Sequence, residues 1–128
     1  MVLDTHVWLW WISDPSLLSL TAQESIDLAI SQGQKLHLST ISTWEVALLV
    51  NKGRLRLTLS ARNWVSKTEA LSLFEFIPVT NSIALRSVQL KMHPDPADRL
   101  IVATALELGL PLVTKDDKLR QLGIDTVW

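Results

Sequence analysis

Short apolar runs alternate with longer stretches in which apolar residues recur at helical spacing, and this alternation continues along all 128 residues. Strand-length runs separated by helix-length amphipathic segments predict βα units and an α/β fold with a mainly parallel sheet of four to five strands. Met1 to Leu3 reads as a buried strand and His6 to Ile12 as a helix broken by Asp14-Pro15-Ser16. Thr21, with Glu24 three residues on, forms a capping box for a helix that Gly33 ends. Leu36–Ser39 is a second strand, Ser42 to Asn51 a helix stopped at Gly53, and Ser60 the N-cap of a helix to Leu71. Phe74 to Val79 is a third strand, where Pro78 implies an edge or a strand end. Thr80 opens a helix to Leu90. Asp95 then caps a helix with Pro96 in its first position, running to Leu108 and Gly109. Pro111–Thr114, Asp117–Leu122 and Thr126–Trp128 complete the pattern as strand, short helix and last strand.

No repeat, low-complexity tract or linker interrupts the pattern, so residues 1–128 are expected to form one domain. Hydrophobic residues make up 48% and charged residues 20%, enough apolar surface for a core and too much for wholesale disorder. There is no cysteine, which excludes a disulfide framework, a thiolate metal site and a cysteine nucleophile, and suits a cytoplasmic location. The apolar amino terminus lacks a basic leader and is interrupted by Asp4, so neither a signal peptide nor a membrane span is expected. The net charge of −1 is low for a nucleic-acid binder. Carboxylates gathered for metal would depress that sum, and Lys52, Arg54 and Arg56 concentrate positive charge in one turn.

Four acids change the picture. Ligands of open parallel sheets bind beyond the carboxyl ends of the strands. Asp4 ends the first strand, Glu45 is expected in the first turn of the helix after the second, Asp98 in the first turn of the Pro96 helix, and Asp116 directly after the fourth strand. Hard cations such as Mg²⁺ and Mn²⁺ take oxygen ligands, and without them clustered carboxylates repel. Each acid also has a structural explanation. Glu45 completes a capping box with Ser42, Asp98 suits the helix dipole, and Asp116 could start a helix. Asp4, at the end of an apolar strand, is costly to bury without a partner.

Around these residues the chain resembles the PIN-domain nucleases, in particular the toxin half of VapBC-type toxin–antitoxin pairs. Leu3-Asp4-Thr5-His6 followed by Val7-Trp8 is similar to the first motif of that family, and Ser39 to Val46, with Glu45, to the second. Asp95-Pro96-Ala97-Asp98-Arg99 running on to Ala105 is similar to the third, and Leu112 to Asp116 to the fourth. The match is collinear through the closing Ile124 to Trp128. The resemblance implies a three-layer Rossmann-like (PIN) fold, Mg²⁺- or Mn²⁺-dependent cleavage of RNA, a homodimer and an antitoxin partner. It implies that Asp4, Glu45, Asp98 and Asp116 are catalytic and hold metal, directly or through water. Thr5 and Thr114 are implied as supporting hydroxyls, and Asp95, Asp117 and Arg99 as neighbours of the site. Asp117 is the alternative to Asp116 as fourth acid.

Trp8, Trp10, Trp11 and Trp44 gather near the same region and are read as core or dimer-contact residues before base-stacking ones, with at least one of Trp10 and Trp11 exposed in a monomer. Arg99 and Lys115 each adjoin an acid and could pair with it or meet phosphate. His6, His37 and His93 show no metal-ligand spacing and stay outside the expected site. A haloacid-dehalogenase-type phosphatase needs an acid two residues after Asp4, where His6 stands. A receiver domain needs an acidic pair after the first strand, which is missing. A housekeeping nuclease, or a PIN fold that only binds RNA or an antitoxin, remain the alternatives to a toxin.

Overall fold

A computed structural model describes residues 1–128, and its architecture follows the alternation of the sequence. Strands β1 (Val2–Leu3), β2 (Leu36–Ser39), β3 (Phe74–Ile77), β4 (Leu112–Val113) and β5 (Thr126–Val127) form one sheet in the order β3-β2-β1-β4-β5, every pairing parallel. Helices α1 (Thr5–Ser13), α2 (Leu20–Ser31), α3 (Thr40–Asn51), α4 (Ala61–Glu69), α5 (Asn81–Gln89), α6 (Pro96–Leu108) and α7 (Asp117–Arg120) make the crossovers. The chain winds outward from β1 through β2 to β3, then returns to the other side of β1 for β4 and β5. The winding direction therefore reverses between β1 and β4, and the crevice of a doubly wound sheet opens beyond the carboxyl ends of those two strands.

Alternating side chains of the central strands feed two cores on opposite faces of the sheet. Leu3 and Val113 join Val7 and Trp8 of α1, Ala22 and Ile26 of α2, and Trp64 of α4. Val2 and Leu112 join Ile101, Val102 and Ala105 of α6 with Leu119 of α7. The result is the expected three-layer fold. Trp8 is fully buried, its ring 4.5 Å from that of Trp64 and edge-on to Phe76 at 5.6 Å. No helix is long and apolar enough to cross a membrane.

Several boundaries differ from the sequence reading, each for a local reason. Helix α2 is capped by Ser19, whose hydroxyl accepts from the Ala22 amide at 3.1 Å, so Thr21 lies inside the helix and forms no box with Glu24. Helix α3 starts at Thr40, immediately after β2, and Ser42 is buried within it rather than at its cap. Pro78 falls just outside β3, which is an edge strand. Trp10 and Trp11 are both half-buried, against the expectation that one is exposed. Trp10 rests 6.0 Å from the Trp128 ring and Trp11 edge-on to Phe74 at 5.6 Å, so different neighbours cover the two sides of α1. Trp44 is the exposed indole, at 54%.

Candidate active site

Beyond the carboxyl ends of β1 and β4 lies a cleft of about 480 Å³ into which Asp4, Glu45, Asp95, Asp98 and Asp116 all project. Asp4 is the N-cap residue of α1, extended where the strand turns into the helix, and is 7% exposed. Its amide donates to the Val113 carbonyl at 3.0 Å, which fixes it against the end of β4. The Thr114 hydroxyl donates to Asp4 Oδ2 at 2.6 Å and accepts from the Asp116 amide at 3.1 Å, linking the two acids through one side chain. Burial pushes the Asp4 carboxyl above its ordinary range, and the Thr114 hydrogen bond only partly opposes this.

Glu45 reaches the cleft from the second turn of α3, because that helix begins at Thr40. It is therefore not the capping-box acid that its spacing from Ser42 implied. The Thr5 hydroxyl donates to Glu45 Oε2 and lies 2.8 Å from the buried Ser42 Oγ. Thr5 has one proton, so with Glu45 ionised it is Ser42 that donates to Thr5. Ser42 thus serves as a support for the Thr5–Glu45 contact, a role that its sequence position does not reveal. Burial, with the charges of Asp4, Asp98 and Asp95 added, pushes Glu45 up to about 7 against the Thr5 hydrogen bond.

Asp98 and Asp95 come from the start of α6. Asp95 is the N-cap and accepts from the amides of Ala97 at 3.0 Å and Asp98 at 3.3 Å, with Pro96 in the first helical position. Asp98 points from the first turn into the cleft and is pushed up to about 6 by burial and by the charges of Asp4 and Asp95, with His93 opposing. Asp116 caps α7, its Oδ1 accepting from the Lys118 amide at 2.7 Å, and lines the cleft as well. The helix-start explanation and the cleft position are both met by this one residue. Asp117, the alternative fourth acid, is 81% exposed at its side chain, pairs with Arg120 at 3.0 Å and does not line the cleft.

Arg99 is a second correction. Its guanidinium donates to four backbone carbonyls, those of Ser87, Leu90, Met92 and His93, at 2.7 to 3.0 Å. It therefore faces away from Asp98 and from any substrate, and ties the end of α5 and the loop before α6 to the α6 helix. Charged hydrogen bonds of this kind are worth more than neutral ones, and Arg99→Met leaves all four acceptors short of a donor. Its expected cost is about 2–4 kcal/mol of stability in denaturant unfolding, whereas a change under about 0.5 kcal/mol would contradict this role.

The tertiary structure brings in His6 and His93, which sequence reading left outside the site, and places Lys115 and Trp10, whose roles it left open. His6 and Lys115 line the cleft beside the acids, and Trp10 is its one apolar wall. Lys115 Nζ sits 5.5 Å from the centre of the Trp10 ring and forms no ion pair with a carboxylate. His93, in the loop before α6, places Nε2 3.5 Å from Asp98 Oδ2. His37 stays outside the cleft, as expected: Nδ1 is 3.1 Å from the Met1 carbonyl and Nε2 is 3.5 Å from Glu75. Lys52, Arg54 and Arg56 are exposed after α3 and outside the cleft. The cleft therefore gathers five carboxyls against one lysine, and three of the five are pushed above their ordinary ionisation range. Hard oxygen donors held together at that electrostatic cost fit a divalent cation as counter-charge.

A family model described as PIN domain matches residues 1–125. Over 122 residues the chain is 37% identical to Ribonuclease VapC22 of Mycobacterium tuberculosis, spanning 94% of this chain and 89% of that protein. Among solved structures it superposes on VapBC2 from Rickettsia felis, bound to a promoter DNA fragment. The TM-score is 0.71 at 17% identity, covering 98% of this chain and 95% of that one. The DNA-bound VapBC of Salmonella typhimurium gives a TM-score of 0.66 at 20% identity, covering 98% and 94%. At those identities the two structures establish the fold alone, whereas the family model and the VapC22 likeness reach across the whole site. The chain belongs to the PIN-domain family.

Proposed function

We propose that this protein is a Mg²⁺- or Mn²⁺-dependent endoribonuclease and the toxin of a type II toxin–antitoxin pair. The observation that carries the reading is the convergence of Asp4, Glu45, Asp98 and Asp116 in one cleft with no lysine or arginine paired to any of them. The relative's name, Ribonuclease VapC22, supplies the substrate class.

Asp4, Asp98 and Asp116 would hold the cation, and Glu45 would reach it directly or through water. When bound, a divalent ion there neutralises charge on the phosphodiester and eases ionisation of the attacking water. The chain's own residues then divide the remaining work. Thr5, braced by Ser42, fixes the Glu45 carboxylate so that it can accept the proton of that water. Thr114 holds Asp4 and the Asp116 backbone in register. Lys115 and His6, on the rim, face an approaching phosphate, and Trp10 offers an apolar surface to a base. The test is incubation of purified protein with total RNA in Mg²⁺ or Mn²⁺, with the cleavage sites mapped. RNA left intact in both ions would overturn the enzymatic reading and leave a fold that only binds.

Two partners belong to the same proposal. An antitoxin is supported by the likeness to toxin–antitoxin complexes. It is also supported by a shallow groove of about 350 Å³ between α3 and α4, lined in part by Thr43, Ala47 and Val65. A homodimer is supported by apolar side chains left on the surface of α5, where Leu85 is 70% and Val88 78% exposed. Sedimentation at micromolar concentration is expected to give the mass of two chains, and a monomer alone would contradict the dimer.

A further inference from the structure

We infer that His93 is a nitrogen ligand of the divalent cation held by Asp98 and Asp116, so that this metal position prefers Mn²⁺ to Mg²⁺. The inference rests on the metal-dependent reading above and adds to it a residue outside the acidic quartet. The ligand atoms of His93, Asp98 and Asp116 all lie within 4.8 Å of one another. Two ligands of one ion, each about 2.1 Å from it, lie at most about 4.2 Å apart, so small side-chain rotations bring these three into one coordination shell.

The second observation is independent of the acids. His93 Nε2 is sealed from solvent and has no hydrogen-bond partner. Its approach to Asp98 Oδ2, at 3.5 Å, is an ion-pair distance and not a hydrogen bond. An imidazole nitrogen that is buried, turned toward two carboxylates and unsatisfied has its bonding capacity free for a metal. The backbone behind it is held firmly, because Arg99 Nε donates to the His93 carbonyl at 2.9 Å. Neutral imidazole is a good ligand for transition ions and a poor one for Mg²⁺, which demands oxygen. Replacing one oxygen by this nitrogen therefore weakens Mg²⁺ at the site relative to Mn²⁺.

The rival role is a simple ion pair, in which protonated His93 competes with metal for Asp98. The two roles predict opposite effects of His93→Gln. Loss of a ligand weakens Mn²⁺ binding roughly tenfold, the scale seen when a metal site loses a supporting group, with Mg²⁺ changed far less. Loss of a competing cation tightens the binding of both ions.

The experiment is calorimetric titration of wild-type, His93→Gln and His93→Ala proteins with Mn²⁺ and with Mg²⁺, together with pulsed electron paramagnetic resonance of the Mn²⁺-loaded wild-type protein. Expected are a nitrogen coupling on Mn²⁺ that vanishes in His93→Gln, and a selective loss of Mn²⁺ affinity in both variants. Mn²⁺ binding without a nitrogen coupling, or variants that bind both ions equally well or more tightly, would overturn the role of His93 alone. A wild-type protein that binds neither ion would overturn the metal-dependent reading and this inference with it. Circular dichroism of each variant establishes that it is folded, and a nitrogen coupling that persists in folded His93→Gln or His93→Ala would assign it to another imidazole of the cleft, His6, and overturn the role of His93.

Discussion

Glu45→Gln and Asp98→Asn are expected to lower RNA cleavage by at least about 100-fold, the usual scale for removing one charge-stabilising group from an active site. Melting temperatures should stay unchanged or rise. The geometry separates the two effects. Glu45 lies in the second turn of α3 and caps nothing, and glutamine keeps an oxygen for the Thr5 hydroxyl. Asp98 is in the first turn of α6, but the cap there is Asp95, so asparagine disturbs no hydrogen bond that holds the helix start. Both carboxyls are held above their ordinary range by burial first and next by the charge of Asp4, with Asp98 adding to the repulsion on Glu45. Removing either charge relieves the repulsion while removing a metal contact. Initial-rate cleavage assays and thermal melts on the same preparations check this. Active and folded variants would leave both acids without a catalytic role.

Metal removal should make the folded protein pH-sensitive in an unusual direction. Most carboxylates with a partner in the folded state lose stability in acid. Here Asp4, Glu45 and Asp98 ionise at higher pH in the folded chain than in the unfolded one, Glu45 at about 7 and Asp98 at about 6. Between about pH 4 and 7 the folded state therefore holds protons that the unfolded state has released, and stability falls as pH rises through that window. In chelator, the melting temperature should be higher at pH 5.5 than at pH 7.5. Mn²⁺ should reverse the order, since ionised carboxylates bind it and protonated ones do not. At a concentration one hundred times its dissociation constant a bound ion adds about 2.7 kcal/mol. For a chain this size that raises the melting temperature by roughly 10 °C. Thermal melts at the two pH values, with and without Mn²⁺, check it. A chelated protein that gains stability toward pH 7.5, or an equal Mn²⁺ effect at both pH values, would contradict the picture of mutually repelling carboxyls.

What could be read from the sequence was the parallel sheet and the arrival of acids at its carboxyl edge, because both depend on periodicity and on residues that directly follow strands. Asp4 and Asp116 are of that kind, and Asp98 is placed by the Asp95-Pro96 helix start. Contacts made across the fold were not legible. Ser42 has the residue type and spacing of a cap for Glu45, but β2 runs directly into α3, and the serine is buried against Thr5 instead. Arg99 adjoins Asp98 in sequence, yet its partners are four main-chain carbonyls, which carry no residue signature. Asp116 and Asp117 are indistinguishable by type, and only the cap geometry of α7 turns one inward and leaves the other in solvent. His6 and Trp10 reach the cleft from α1, Lys115 from the turn after β4, and His93 approaches Asp98 from the loop before α6, so no one sequence spacing joins them into a motif.

The measurement that bears most directly on the central claim is RNA cleavage by purified protein across a chelator titration, followed by return of metal. Cleavage should cease once chelator exceeds total divalent ion and should be restored by added Mn²⁺ or Mg²⁺. It should not be restored in Asp4→Asn, where the buried carboxylate at the end of β1 is gone. Cleavage that continues unchanged in excess chelator would contradict the account, because the acids of the cleft would then be carrying out chemistry without the cation that their arrangement requires.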